Sequence, residues 1–502
     1  MKALIHMFTK RSLNRLGLGL AGFVLLLPSC DSFLEEVPDN RVSLDNLDKA
    51  AQLLTNAYSD ASYAFTDWMT DDFSFTIGTT LRPEHQQMYV WGDPTSDPTE
   101  SSDTPGFFWY ETYNAISHAN EVLQIIDDLE IDDEDKSYRD AIKGEALMCR
   151  AYGHFMLVNL FSEDNWILKD GSGLGVPYIK TPETEFLVQY SRPTIRSTYD
   201  DIEDDLREGL ELIDDSYLAN SGKYHFNKNA ALAFASRFYL FKGDYIRCLQ
   251  YSDELLGTNP EAFVRDMTSN EFRTAKASTS GYPQLYSSPD LASNLMLMRK
   301  ISLFQRQDFA YGVDRNYYGS LFATNVFDDA TDERENPAWV KGDNALFPVR
   351  YENLFERNSI NSNVGTPYHI ALAFRGEEVL LNRVECYIQS NNFDAAIADL
   401  QVLMERRFTG GDVVLTMDLL RQFYPSVWTD FTILYEYLIF ERQKEFIAQG
   451  MRWFDIKRFQ IEVEHLDRNG SLLATLESDD KRKIFQIPKS AIEVGGLEAN
   501  ER

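Results

Sequence analysis

Six aromatic residues and one arginine carry the chemistry this sequence announces. Trp68, Tyr89 and Trp91 lie with Arg82 in a stretch rich in Asp, Ser and Thr, and Tyr282, Tyr286 and Tyr311 lie in a second such stretch. Flat rings beside hydrogen-bonding side chains suit a polyhydroxylated ligand. The apolar C–H faces of a sugar stack on the rings, and its hydroxyls bond to polar neighbours such as Arg82. These seven residues are therefore the candidate glycan-binding set. Catalytic patterns do not accompany them. The sequence has no H-E-x-x-H, G-x-S-x-G or Walker A spacing. Its seven histidines are scattered, and its 79 Asp and Glu residues make a chance pair of carboxylates meaningless. The four cysteines, Cys30, Cys149, Cys248 and Cys386, show no C-x-x-C spacing. The last three sit in apolar, helical contexts and read as buried thiols. No catalytic residue, metal ligand or cofactor is assigned.

The rings fall in two irregular stretches, about 66–107 and about 259–371, set between segments of helical periodicity. In the first, Pro83, Pro94, Pro98 and Pro105 exclude a long helix. The second is rich in Ser, Asn, Asp and Gly. Long irregular stretches in a compact protein are usually functional. Helices are predicted at 44–63, 107–129, 138–161 and from a capping box at Ser197 to about Asp214. His154, on the third of these, reads as a core histidine. An internal echo follows. Aligning Tyr245 with Phe393 also pairs Tyr239 with Tyr387, Leu240 with Ile388, Leu249 with Ile397 and Leu255 with Leu403. Each copy is a helix, a tight turn (Gly243-Asp244 or Asn391-Asn392) and a second helix, the logic of a tetratricopeptide-type hairpin. The expected fold is mostly α: a few stacked helical hairpins carrying long loop insertions.

The stretch Glu441 to Phe459 reads as a helix, a glycine stop at Gly450 and a second helical turn. Arg442 and Glu445 are close enough in sequence to pair, and a charged, aromatic knot of this kind is costly to bury unless each charge has a partner. The run Glu441-Arg442, Glu445-Phe446, Gly450, Arg452-Trp453-Phe454-Asp455 and Lys457-Arg458 resembles the C-terminal signature of the SusD/RagB family of nutrient-binding outer-membrane lipoproteins. Trp109, Tyr113, Ile116 and Ala119-Asn120 resemble a second family helix. Ala146, Arg150 and Ala151-Tyr152 resemble a third, and Ile484 to Pro488 resembles the closing motif. The signature residues are structural in that family, and its glycan contacts vary between members, so the resemblance transfers no binding residue.

The N-terminus follows an export plan. Lys2, Lys10, Arg11 and Arg15 precede an apolar run from Leu16 to Leu27, too short to span a bilayer but suited to a signal peptide. Leu27-Pro28-Ser29-Cys30 then resembles a lipobox. Residues 1–29 read as a lipoprotein signal peptide, Cys30 as the acylated first residue, and 30–502 as one SusD-like domain. The formal charge of −31 opposes nucleic acid and anionic lipid as direct partners. The resemblance implies a lipid-anchored protein on the outer-membrane surface. It would capture oligosaccharide or polysaccharide and deliver it to a SusC-like TonB-dependent transporter, without bond chemistry of its own. The alternative is a surface scaffold or peptide-binding member of the same family.

Overall fold

The computed structural model describes residues 44–502 apart from 77–79, 95–101, 164–168, 184–187, 305, 307–308, 336–337 and 342–344. The signal peptide, Cys30 and the tether that follows lie outside the described residues. Among those described, no helix is long and apolar enough to cross a membrane.

Helix α1, Leu47–Leu54, starts where Asn46 accepts from the Lys49 amide at 3.0 Å. It is shorter than its periodicity predicts. The chain turns after Thr55, and the Tyr58 hydroxyl leaves the helical stripe to donate to Glu145 and accept from the Phe226 amide. The first irregular stretch is more ordered than expected. It contains a 3-10 turn, Ala64–Met69, and a short helix α2, Pro83–Tyr89. Pro83 opens this helix rather than breaking it, because a first-turn residue needs no amide hydrogen.

Two long helices follow: α3, Pro105–Ile125, capped by the Thr104 hydroxyl, and α4, Lys136–Phe161. Helix α5, Ile195–Leu212, packs on α4. Its cap is Thr194, which accepts from the Ser197 amide at 3.1 Å, so the helix begins before the predicted box at Ser197. Ala146 and Ala151 on α4 are fully buried. Arg150 fastens the trio, holding Asp205 of α5 at 2.6 and 2.8 Å and Asn120 of α3 at 3.0 Å. His154 is buried as expected. Its Nδ1 faces the Arg150 carbonyl at 2.9 Å, its Nε2 accepts from the Ile179 amide, and burial lowers its pKa to about 3.

The two echoed segments are helical hairpins in register. Helices α6, Lys228–Phe241, and α7, Tyr245–Leu256, match α8, Gly376–Gln389, and α9, Phe393–Glu405. Gly243 and Asn391 take the same left-handed conformation at equivalent turn positions, with φ of 72° and 58°. In each turn the following amide returns to a tyrosine carbonyl: Asp244 to Tyr239 at 2.9 Å, Asn392 to Tyr387 at 2.8 Å. Helices α7 and α8 pack together, so the hairpins stack. Cys149, Cys248 and Cys386 are buried and free.

The second irregular stretch is partly sheet. Strand Asn294–Ile301 pairs antiparallel with Gly365–Arg375, which pairs with Leu354–Arg357 and runs straight into α8. Helices α10, Asp430–Phe446, and α11, Arg452–Phe459, carry the C-terminal signature. Its charges are buried and paired, but not as their spacing suggests. Arg442 bonds Asp455 at 3.0 Å, and Glu445 bonds Arg407 at 2.9 Å. Arg334 reaches Glu441 at 2.7 Å, and Arg452 reaches Asp71 at 2.7 Å. Helix α10 ends at Phe446, and Ala448, with φ 58°, takes the left-handed position after its cap. Gly450 lies further on and serves a different contact.

Candidate functional site

The two ring-bearing stretches meet, although they are far apart in sequence. Ser74 and Phe75 pair antiparallel with Gly312 and Tyr311, and Thr80 bridges Phe309. Around this seam the rings interlock. Trp68 stacks on His85 at 3.7 Å and meets Phe309 edge-on at 5.2 Å. Tyr311, Tyr89, His465 and Trp91 form a column with successive centroid distances of 4.3, 4.0 and 4.4 Å.

This seam is a foundation, not the exposed platform expected of it. Trp68, Tyr89, Trp91 and Tyr311 are 0, 0, 1 and 5 % exposed. The physical reason is area. Each such ring buries on the order of 150–250 Å², and only its polar tip then needs a partner. For two of the rings a backbone carbonyl supplies it: Met69 accepts from Trp91 Nε1 and Leu466 from the Tyr89 hydroxyl, both at 3.0 Å. Arg82 is half-buried, with its guanidinium 5.9 Å from the Phe309 ring. Tyr282 and Tyr286 do not join this group. They are 0 and 2 % exposed in a second core beneath strand Asn294–Ile301, against Arg350 and Arg265. In this arrangement none of the six rings offers a face to a sugar.

Aromatic faces are instead found in a cleft of about 680 Å³ between α3, residues 177–183 and 188–190, and the C-terminal segment 490–497. Helix periodicity builds its floor. Trp109, Tyr113, Ile116 and Asn120 form one stripe of α3, and Tyr110, Asn114, Ser117 and Glu121 form the adjacent stripe. The first stripe fixes the opposite wall. The Tyr113 hydroxyl donates to the Pro177 carbonyl and the Asn120 amide to the Ile179 carbonyl, each at 2.9 Å. Arg192 ties that wall to the chain end. It bonds the Gly175 carbonyl at 2.7 Å, the Glu498 carbonyl at 3.0 Å and Asn500 Oδ1 at 2.7 Å. Burial lowers its pKa to about 10, which leaves it charged at neutral pH. The Tyr110 hydroxyl pairs with Ser490, and Gln189 donates to the Val494 carbonyl at 3.1 Å.

Tyr110, Tyr113 and Tyr190 are half-buried and contribute ring surface. The Tyr190 hydroxyl donates to Glu183 at 2.7 Å, and Glu121 and Glu183 are exposed. Burial first, and the Glu183 carboxylate second, raise the Tyr190 phenol above its ordinary value, so it stays a neutral donor. Among the described residues no group of three or more His, Cys, Asp and Glu is placed to hold a metal ion. Loop composition missed this cleft because its rings lie on a helix and in a separate Pro-rich loop. The available signal was the second, polar-aromatic stripe of α3.

A family model described as "starch-binding associating with outer membrane" matches residues 32–240, and one described as "SusD family" matches 349–493. The chain belongs to the SusD/RagB family. SusD-like protein P38 of Formosa agariphila is 21% identical over 490 residues, covering 88% of this chain and 90% of that one. SusD-like protein P2 of the same organism is 22% identical over 417 residues, 76% of each. Two solved structures share the fold. A SusD superfamily protein of Bacteroides thetaiotaomicron gives a TM-score of 0.66 at 19% identity, covering 91% of this chain and 100% of that one. A SusD-like carbohydrate-binding protein of Bacteroides vulgatus gives 0.65 at 19% identity, covering 90% and 96%. The tetratricopeptide-like helical scaffold expected of a SusD protein is the one observed.

Proposed function

We propose that this SusD-family chain is an outer-membrane lipoprotein, anchored through Cys30, that captures oligosaccharide at the cell surface and passes it intact to a SusC-like TonB-dependent transporter. The observation that carries the reading is the cleft between α3, residues 177–183 and 188–190, and residues 490–497. Its size lies within the ~300–1,000 Å³ of ordinary ligand sites. It offers ring faces beside exposed carboxylates, which together fit a sugar's apolar faces and hydroxyls. Pre-formed walls hold these groups, so little ordering cost falls on binding. The names of the matched family model and of the carbohydrate-binding neighbour support the same ligand class.

A second reading is peptide capture. The aliphatic residues Ile116, Ile179, Val188 and Leu497 of the cleft favour it, since an apolar side chain fits such a wall as well as a sugar does. Isothermal titration of the soluble chain from residue 31 against a glycan panel and a peptide panel separates the two. Glycan binding that weakens in Tyr190→Ala supports the first. Peptide binding alone replaces it with the second. Shortening of the bound glycan would show an enzyme and discard both.

A further inference from the structure

We infer that the cleft accepts uncharged oligosaccharide and turns away uronic-acid and sulfated chains. This rests on the reading of the cleft as the glycan grip. The argument is one of charge. Among the described lining residues the charged side chains are Glu121 and Glu183, and there is no Lys or Arg. Among those residues an anionic sugar meets two like charges and no counter-charge.

Lys180, Lys489, Arg150 and Arg192 are not among the residues described as lining the cleft, and each already faces an acidic or carbonyl partner. Lys180 Nζ lies 2.7 Å from Asp201, and Lys489 Nζ lies 3.6 Å from Glu493. Arg150 is buried against Asp205, and Arg192 spends its guanidinium on oxygens of the two walls. The whole chain, at −31, adds a repulsive field of the same sign.

A neutral sugar meets the opposite conditions. Its hydroxyls donate to Glu121 and Glu183, and hydrogen bonds to a charged acceptor are stronger than neutral ones. The Tyr190 hydroxyl, already donating to Glu183, holds that carboxylate in place. The Tyr113 and Tyr110 hydroxyls are likewise engaged, with the Pro177 carbonyl and with Ser490. What the tyrosines offer a ligand is their faces, which suit the C–H surface of an uncharged ring.

The test is titration of the soluble chain, residues 31–502, with matched hexaoses. Neutral gluco-, xylo-, manno- and galacto-oligomers are compared with oligogalacturonate and oligomannuronate, at low and high salt. At low salt the uronates bind about ten-fold or more weakly than the tightest neutral chain, and the gap narrows as salt screens the carboxylates. The double substitution Glu121→Gln with Glu183→Gln, at exposed positions, narrows the low-salt gap by about three-fold or more, as loss of two like charges requires. Tyr190→Ala weakens the neutral chain. Uronates that bind as tightly as neutral chains overturn the inference and leave the glycan reading standing. So does a gap that the double glutamine variant leaves unchanged. If no glycan in the panel binds the wild-type chain, the glycan reading itself falls and the inference with it.

Discussion

The amide of Gly450 donates to both carboxylate oxygens of Asp67, at 3.0 and 2.9 Å, across 383 residues of chain. The contact joins the 3-10 turn Ala64–Met69 to the bend between α10 and α11. The Thr66 hydroxyl adds a bond to the Gly450 carbonyl at 3.0 Å. The family signature is thus a clasp: it closes the C-terminal helices onto the segment that leads into the ring-bearing seam.

Gly450→Ala should open this clasp. Gly450 has φ 76°, and an added Cβ would lie 2.7 Å from the Tyr63 carbonyl oxygen and 2.6 Å from its ring. Left-handed strain and the backbone clash together cost about 2–4 kcal/mol. A fall in the urea midpoint, with wild-type helix content retained in water, is the expected result. An unchanged midpoint would show that the bend relaxes freely.

Arg407→Met should be as damaging, for an electrostatic reason. Arg407 bonds Glu445 through two nitrogens and lies 3.3 Å from Glu377, all fully buried. Burial alone would raise the Glu445 carboxyl, but Arg407 and then Arg334 outweigh it and hold it well below the usual carboxylate range. Removing one partner of a buried pair costs about 3–5 kcal/mol, because the other charge is stranded. Adding Glu445→Gln to Arg407→Met should restore part of the lost midpoint; a further loss would contradict the stranded-charge account.

Asp72 should give stability a pH dependence of the opposite sign to Glu445. Burial, then the neighbouring Asp71 carboxylate, raise its pKa to about 7, against the pull of Arg452, Tyr317 and Gln443. Between the unfolded aspartate value of about 3.9 and that value of about 7, the folded chain holds a proton that the unfolded chain has released. Stability from this group is therefore greatest below that window and falls as pH rises through it, by on the order of 4 kcal/mol across the whole window. Asp72→Asn should flatten the decline between pH 5 and 8 without abolishing it, since burial raises Asp67 as well. Thermal midpoints of the two proteins at both pH values test this.

The hairpins were legible in the sequence because their geometry is local. Gly243 and Asn391 mark turns that any left-handed residue would mark, and the helices start at Tyr245 and Phe393, the two positions that anchor the echo. The rings were misread because burial in a loop is decided at long range. Trp68 is covered by Phe309, and Tyr89 and Trp91 by His465, contacts that no local period encodes. Charge pairing failed in the same way. Arg442 and Glu445 are near neighbours on one helix, yet Arg442 selects Asp455 and Glu445 selects Arg407. The cleft was invisible because three separate segments build it, and only α3 shows a stripe that hints at it.

The echo also predicts a stabilising change. Asn391 sits exposed at φ 58° where its counterpart is Gly243. Asparagine tolerates the left-handed region, but glycine takes it without the Cβ penalty, so Asn391→Gly should gain roughly 0.5–1 kcal/mol. Gly243→Asn should lose a similar amount. The pair of midpoints, moving in opposite directions, tests whether the two turns are equivalent in energy as they are in shape.

The proposed attachment at the surface would turn on one residue, Cys30. If its sulfur and amine carry acyl chains, each buried CH₂ contributes about 0.8 kcal/mol, and several chains together hold the protein firmly to the membrane. In a host that processes lipoproteins, the wild-type chain should take up radiolabelled palmitate and partition into the detergent phase. Cys30→Ala removes both sulfur and cleavage site, so it should lose the label and leave the signal peptide uncut. Glycan affinity measured on the detergent-solubilised full chain should not change with that substitution, because the residues described as lining the cleft all fall within 109–497. A Cys30→Ala protein that is still processed and labelled would place the anchor at another residue.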